Sequence, residues 1–349
     1  MSTAGSRYPR WVPGIELRAD WLGQVQEEIL DPGREIVDPH HHLWTHGTPE
    51  NQAVYELDAL WSDTGAGHNV VQTVYIECRS YWDKSAPDHL QPVGETRHIA
   101  DLARADGPSR IAGIIAFADL TLPPEQLDEV LDAHIEAGQG LVKGIRHAAA
   151  CDPEREQLMI PSRGVPGQLA DPAFRRGVRH LGARGLTYDS WHYHHQNAEF
   201  LSLARAVPET TMVLDHLGSP LGVARFSGRR DEVFADWKLD MRAIAACPNV
   251  VAKLGGFAMP DNGWGWMERD KPPSSDELLA AQREWYEHML TTFGAERCMF
   301  ESNFPVDRVS VSYPVLWNFF KKLAHGASEN EKAALFSGTA RRVYGLPGV

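Results

Sequence analysis

The stretch EIVDPHHHLW, residues Glu35–Trp44, places an Asp-Pro pair and three histidines directly behind a short apolar run. Side chains alternate along a β-strand, so the first and third histidines of such a run point to one face. A strand here would present His40 and His42 together and turn His41 away, which makes His41 a structural residue. Two imidazoles on one face are a common pair of metal ligands, but a complete site needs partners from elsewhere in the chain.

Seven more apolar runs follow the first, and longer segments compatible with helices separate them. The eight predicted strands are Ile36–His42, Val70–Arg79, Ile111–Asp119, Val142–His147, Leu186–Tyr193, Thr211–Gly218, Val250–Phe257 and Cys298–Pro305. The predicted helices between them include Pro124–Glu136, Asp171–Ala183, Asp231–Ala246 and Ser275–Phe293. Apolar strands that alternate with helices are typical of parallel strands buried on both faces. Eight such units predict a (β/α)8 TIM-type barrel, whose active site lies at the carboxyl ends of the strands.

The main structural alternative is a doubly wound open sheet, but no GxGxxG motif follows the first predicted strand to support it. We expect a single α/β domain over residues 34–349, because barrels of this length are routinely one domain. Residues 1–33 are rich in Pro, Gly, Arg and Trp and are expected to form an irregular N-terminal extension.

The composition indicates an ordinary globular protein and argues against several classes of partner. The chain has 34 Lys and Arg against 47 Asp and Glu, a net charge of −13, so neither nucleic acid nor an anionic membrane is expected as its main partner. Its four cysteines lie far apart without a CxxC pair, as expected for reduced thiols. No signal region or membrane span is recognisable, and a cytoplasmic location is predicted.

Ionisable or amide side chains stand at the ends of six of the eight predicted strands. They occur in the segments DPHHH, ECR, GIRH, WHYHH, DH and ESN. Buried polar groups are costly unless they are paired or used in function. Because the carboxyl ends of parallel strands meet at one face of a barrel, these groups predict the active site.

Histidines on the fifth and sixth strands are the candidates to complete the site. His194 is the preferred third metal ligand and His192 the next, because a catalytic metal usually takes three protein ligands and keeps a position for water. The alternative is a histidine-rich pocket wall without metal. His216, at the end of the sixth strand, is predicted to polarise a carbonyl, to transfer protons or to act as a ligand.

Several charged and aromatic residues are candidates for contact with a substrate. Arg146 and Lys143 could hold a substrate carboxylate, and the guanidinium could do so with two parallel hydrogen bonds. An internal salt bridge is the alternative for Arg146, and Glu77 has the same two interpretations. Trp264 and Trp266 lie in a Gly- and Pro-rich insert after the seventh strand, which is either a lid over the site or a surface loop.

Five motifs in this order resemble the amidohydrolase superfamily, in particular the amidohydrolase-related branch: VDPHHHLW, KGIRH, LTYDSWHYHHQ, VLDHLG and MFESNFPVD. That branch includes 2-pyrone-4,6-dicarboxylate lactonase, sugar lactonases and sulfomuconolactone hydrolase, and decarboxylases are more distant members. The resemblance runs from Ile36 to Leu346. It implies a (β/α)8 barrel with the histidine pair on the first strand and further site histidines on the fifth and sixth strands.

The eighth strand departs from the family pattern. The pattern resembles F-G-S-D-[WY]-P, in which the aspartate binds metal or acts as general base, whereas this chain reads FESNFP and has Asn303 at that position. Asn303 could orient water or a substrate oxygen while another group is the base. Glu301, two residues earlier on the same face, or Asp307 beyond the strand could supply the carboxylate. The third possibility is a different reaction.

We therefore expect a hydrolase that opens a lactone or similar cyclic ester in a catabolic route, with a small-molecule lactone or carboxylate as its substrate. A divalent metal, zinc in view of the imidazole ligands, is expected at His40, His42 and His194. A metal-free mechanism remains an alternative, since the resemblance includes enzymes without metal. The alternative functions are a metal-dependent decarboxylase and, third, a barrel that binds a ligand without turnover. The resemblance is compatible with a monomer or a homodimer.

Overall fold

The computed structural model describes residues 18–48, 51–105, 110–160 and 162–348. Within these ranges the strands are β1 (Glu35–His41), β2 (Trp44–Thr48), β3 (Asn51–Tyr55), β4 (Asn69–Ile76), β5 (Ile111–Ala116), β6 (Val142–Arg146), β7 (Thr187–Ser190), β8 (Met212–Leu214), β9 (Val250–Leu254) and β10 (Cys298–Phe300). All except β2 and β3 form one eight-stranded parallel sheet in chain order. The predicted (β/α)8 barrel is confirmed. The antiparallel β2–β3 hairpin was not predicted.

The α-helices of the described ranges lie mainly between the barrel strands: α1 (Ala19–Leu22), α2 (Leu57–Thr64), α3 (Val93–Ala105), α4 (Pro124–Gly138), α5 (Pro172–Ala183), α6 (Asn197–Ala206), α7 (Arg230–Ala245), α8 (Ser275–Phe293), α9 (Tyr313–Leu323), α10 (Glu329–Ala333) and α11 (Thr339–Tyr344). α8 has the predicted bounds because Ser274 and Glu277 form a capping box at its start. α5 begins at Pro172 behind Asp171, whose carboxylate accepts the Ala173 amide.

The barrel closes where the carboxyl end of β1 meets the segment after β10. The Asn303 amide donates to the His40 carbonyl over 2.9 Å, and the His42 amide donates to the Phe304 carbonyl over 2.8 Å. His41 and Phe304 form a parallel bridge. Closure therefore places His40, His41 and His42 beside Asn303, which lies far later in the chain.

The barrel interior has an apolar layer below a charged layer. Buried side chains from β1, β4, β5, β8, β9 and β10 form the apolar layer, together with three residues at the C-terminus: Val37, Val74, Ile76, Ala112, Ile115, Val213, Val251, Met299, Ala340, Tyr344 and Leu346. α11 and the residues after it cover the amino-terminal end, where Arg341 pairs with Glu35 at the start of β1. Among the described residues, the carboxyl end of the barrel is the end that is not covered in this way.

The segment before β1 is attached to the barrel wall. Glu27 accepts the backbone amide and the hydroxyl of Ser275 over 2.7 and 2.5 Å, and the side-chain amide of Asn318 over 3.0 Å. The predicted N-terminal extension covers residues 1–33, of which residues 1–17 lie outside the described ranges. Its described part thus packs against α8 and α9.

Candidate active site

A layer of buried charged and imidazole side chains lies at the carboxyl end of the barrel. Its members come from seven strands or the residues just after them: His40, His42, Glu77, Arg146, Asp189, Asp215, His216, Lys253 and Glu301. Four of them are carboxylates and two are fixed cations, so the layer has a formal excess of two negative charges (4 − 2) when its histidines are neutral. Buried charge of one sign requires compensation, by protons or by a bound cation.

His40 and His42 form the centre of this layer. Their Nε2 atoms lie 3.3 Å apart. Nδ1 of His42 lies 2.8 Å from the Ile76 carbonyl, which can only accept, so the proton of this ring is on Nδ1 and its Nε2 carries a lone pair. Burial lowers the pKa of both histidines well below the ordinary value of 6.5. Both are therefore neutral imidazoles, the form that binds a metal.

Glu301 lies behind two of the histidines and orients them. Its Oε1 accepts from Nδ1 of His216 over 2.7 Å and from the His216 amide over 3.2 Å. Its Oε2 lies 2.8 Å from Nδ1 of His40, without the alignment of a hydrogen bond. A carboxylate on one ring nitrogen fixes the tautomer of a neutral imidazole, whose other nitrogen then carries the lone pair and can act as ligand or base. Glu301 thus prepares Nε2 of His216 for the pocket.

The donor set fits a divalent metal. Among the described residues, His40, His216 and Glu301 form a group with the spacing of metal ligands. Much of that closeness arises from the contacts between the Nδ1 atoms and Glu301, so the facing Nε2 atoms of His40 and His42 are the better position. Two nitrogens bound at about 2.0–2.1 Å to one tetrahedral zinc would be about 3.3 Å apart. Nη1 of Arg146, 3.4 Å from Nε2 of His40, is a competing donor from the chain itself.

Two glycines after β9 make room for these side chains. A Cβ on Gly256, whose φ is +62°, would lie 2.2 Å from Nδ1 of His216. A Cβ on Gly255 would lie 2.1 Å from the Glu301 carbonyl oxygen. Both distances are impossible for a real side chain, so the site requires glycine at both positions. The Gly-Gly pair directly after the seventh barrel strand is the sequence signal that could have indicated this close approach.

His216 and Asn303 both adopt backbone conformations that non-glycine residues rarely take. Their φ angles are +56° and +55°. Strained backbone of this kind costs of order 1–3 kcal/mol per residue and concentrates at functional sites. The Asn303 side-chain nitrogen donates to Asp307 over 3.2 Å, which leaves the amide oxygen for a ligand. Asp307 is fully buried behind Asn303, and burial raises its pKa to about 7.

A cavity of about 270 Å³ opens onto these groups. It is lined by His42, Trp44, Glu77, Cys78, Arg79, Arg146, Ala148, Ile160, Arg163, Trp191, His216, Met259, Asn303 and Val306. Arg146 and Glu77, both predicted to bind substrate, form the internal salt bridge given as the alternative, with 2.9 Å between Nε and Oε1. Arg79 and Arg163 were missed, although Arg79 is the last residue of the ECR segment at the end of the second predicted strand.

The structure does not bring His192 or His194 to the His40–His42 pair. The ring nitrogens of His192 bond to Ser190 and Asn197 over 2.9 and 3.2 Å. Nδ1 of His194 accepts the Leu221 amide over 3.1 Å. The prediction of a third ligand here assumed strand alternation up to His194, but β7 ends at Ser190 and a 3-10 helix begins at His194.

Three predicted substrate contacts lie elsewhere. Lys143 is near the start of β6, at the opposite end of the barrel, where Nζ donates to the Gly140 carbonyl over 2.9 Å. It therefore cannot reach a ligand in the cavity. Trp264 and Trp266 line a neighbouring cavity of about 400 Å³, which shares Met259 with the histidine pocket. The guanidinium of Arg230 lies 3.6 Å above the Trp264 ring.

Comparison with known proteins gives a consistent picture. Residues 37–346 match the family model described as Amidohydrolase. An uncharacterized protein of Sinorhizobium fredii, y4mH, is 30% identical over 88% of this chain and 98% of its own length. An L-fucono-1,5-lactonase of Burkholderia multivorans is 28% identical over 89% of this chain and 96% of its own. The crystal structure of a Burkholderia multivorans amidohydrolase with bound zinc has a TM-score of 0.71 and 26% identity, over 89% and 99% of the two chains.

Proposed function

The chain belongs to the amidohydrolase family, and on that premise we propose that it hydrolyses a lactone to the open hydroxy acid. The observation that carries the proposal is the Glu301–His216 pair, which directs an unprotonated ring nitrogen into the cavity beside His42. The lactonase activity named for a relative at 28% identity supports the same reaction class. This pair also supplies a base in place of the aspartate of the family pattern, where this chain has Asn303.

Each residue of the pocket has a role in this reaction. His216 Nε2 takes a proton from the attacking water while the water oxygen bonds to the lactone carbonyl carbon. The proton then passes to the ring oxygen as the carbon–oxygen bond of the ring breaks, which yields a hydroxyl and a carboxylic acid. The side-chain oxygen of Asn303, whose nitrogen donates to Asp307, accepts a hydrogen bond from the attacking water and holds it in place.

We infer that His40 and His42 hold a divalent metal through their Nε2 atoms, with Glu301 behind them. When bound, such an ion polarises the carbonyl and lowers the pKa of water. Zinc is proposed because the available ligands are imidazoles and because the similar amidohydrolase structure contains zinc. The formal excess of two negative charges in the buried layer supports a divalent ion.

We further propose a cytoplasmic enzyme of catabolism, with residues 34–349 as the catalytic domain behind an extension at residues 1–33. All four cysteines are free thiols, which supports a reducing compartment. Among the described helices, none has the length and apolar character required to cross a membrane.

The test is a panel of sugar and γ-lactones, with proton release followed in a pH-stat and CO₂ followed in parallel. Proton release without CO₂ is expected, and CO₂ release from an acid substrate would replace the lactonase proposal by a decarboxylase.

Glu301→Gln should lower kcat about 100-fold, because general base catalysis is worth about 100- to 10,000-fold. Asp307→Asn, which removes a carboxyl group outside the cavity wall, should lower kcat less than Glu301→Gln. An unchanged rate in Glu301→Gln would exclude this carboxylate as the partner of the base.

A further inference from the structure

The wall of the histidine pocket is positively charged although the protein is strongly acidic. Among its lining residues are three arginines, Arg79, Arg146 and Arg163, and one carboxylate, Glu77. The salt bridge between Arg146 and Glu77 neutralises one arginine. Two positive charges remain on a cavity of about 270 Å³, in a chain of net charge −13. Such a local reversal of sign attracts an anion.

Arg79 is held in place without an acidic partner. It is half-buried, and its backbone φ of +61° is rare for a residue with a side chain. Its guanidinium lies 4.6 Å above the Phe117 ring and 5.5 Å from the Trp82 ring. Among the described residues no carboxylate lies within ion-pair distance of Arg79, because the nearby Glu77 and Asp215 pair with Arg146 instead. The rings hold the guanidinium in the cavity wall and leave its N–H groups for a ligand.

Arg163 faces the same cavity from an exposed position and likewise has no acidic partner among the described residues. Burial lowers the pKa of Arg79, the charge of Glu77 raises it, and the charge of Arg163 lowers it. Arg79 and Arg163 both line the cavity, so an anion bound in it could accept hydrogen bonds from both guanidinium groups.

We propose that the substrate of this site is an acidic lactone, whose carboxylate is bound between Arg79 and Arg163 while its ring carbonyl faces His216. This inference rests on the proposed lactonase function and adds the substrate class. Trp44 and Trp191 also line the cavity and supply apolar surface for a small ring. A neutral lactone would leave both arginines without a counter-ion.

The test compares three matched γ-lactones: γ-butyrolactone, its carboxylate derivative 5-oxotetrahydrofuran-2-carboxylate, and the methyl ester of that acid. The acid should be hydrolysed with a kcat/KM at least about 10-fold above that of the methyl ester, and its KM should rise with ionic strength.

Arg79→Gln and Arg163→Gln should each lower kcat/KM for the acid about 10- to 100-fold by raising KM. They should lower kcat/KM for the neutral lactone by a smaller factor than for the acid. Arg205→Gln, at an exposed position outside the cavity, is the matched control and should change neither.

Two outcomes separate this inference from the proposed function. Equal turnover of the acid and its ester, with no effect of either arginine variant on the acid, would overturn the inference and leave the lactonase standing. If none of the three lactones is turned over, calorimetric binding of the product 2-hydroxyglutarate still decides between them. Binding that both arginine variants weaken supports the anion site, whereas binding that neither variant changes overturns it.

Discussion

His42 is prepared for its role before a ligand arrives. The Ile76 carbonyl fixes its tautomer over 2.8 Å, and burial keeps the ring neutral by lowering its pKa. Its neighbour His41 is equally buried but packs edge-on against Tyr75, with 5.8 Å between the ring centroids. Within the described ranges neither ring nitrogen of His41 forms a hydrogen bond. Adjacent histidines thus have different environments because successive side chains point to opposite faces here.

This difference gives a prediction at the residue scale. His42→Ala should remove the bound metal and lower activity at least 100-fold, because loss of one of few ligands weakens the site by about that factor or more. Metal content by mass spectrometry and kcat by pH-stat measure both effects. His41→Leu is the control, and it should keep metal and activity because no hydrogen bond is lost. Full activity in His42→Ala would contradict the assignment of the pair.

At the scale of elements, the loop after β9 decides how closely β8 and β10 can approach each other. Gly256 allows the His216 ring to lie against the backbone, and Gly255 does the same for Glu301.

Gly256→Ala should lower kcat about 100-fold or more without unfolding the barrel, because the methyl group displaces His216 from Glu301. Gly185→Ala is the matched control, since Gly185 also has a positive φ but has no atom near the added methyl group. An equal loss of kcat in the two variants would show that backbone strain, and not the clash with His216, lowers the activity.

α3 and α4 are joined through a buried histidine that makes stability depend on pH. His134 of α4 bonds to Thr96 of α3 over 2.8 Å and to the Phe117 carbonyl over 2.8 Å, and burial lowers its pKa to about 4. The unfolded chain binds a proton at its ordinary pKa of 6.5, so this stability is complete above pH 6.5 and is lost as pH falls to 4.

Urea unfolding at pH 7 and pH 4 tests this dependence. Between these values the unaltered protein should lose about 3 kcal/mol more stability than His134→Gln does. His325→Gln, at an exposed position, should behave like the unaltered protein. An equal loss in the unaltered protein and in His134→Gln would contradict the role of His134.

The whole molecule is closed at one end and open at the other. α11 covers the amino-terminal end of the barrel, and the segment before β1 contacts α8 and α9 through Glu27.

We expect Glu27→Ala to lower the free energy of unfolding by about 2 kcal/mol, because hydrogen bonds to a charged group are worth about 1.5–3 kcal/mol each and water replaces part of them. Glu28→Ala, at an exposed neighbouring position, should change stability by less than about 0.5 kcal/mol. Thermal unfolding measures both, and kcat should stay unchanged in both.

The sequence by itself determined the architecture and the first half of the site. Strand and helix periods are local properties, so eight apolar runs separated by helical segments were enough to predict the barrel. The capping signals at Ser274 and Asp171 placed two helix starts, and alternation along β1 paired His40 with His42 and excluded His41. These inferences depend only on residues that are close in the chain.

Only the tertiary structure decided how distant residues meet. Because β7 ends at Ser190, His192 and His194 do not reach the His40–His42 pair. Arg146 lies against Glu77 and forms a salt bridge instead of the predicted substrate contact. Glu301, one of the two predicted substitutes for the missing aspartate, bonds to His216 because Gly255 and Gly256 leave room for both residues between the ends of β8 and β10. Strand ends and interatomic gaps of this kind depend on packing between distant segments, and a local pattern carries no information about them.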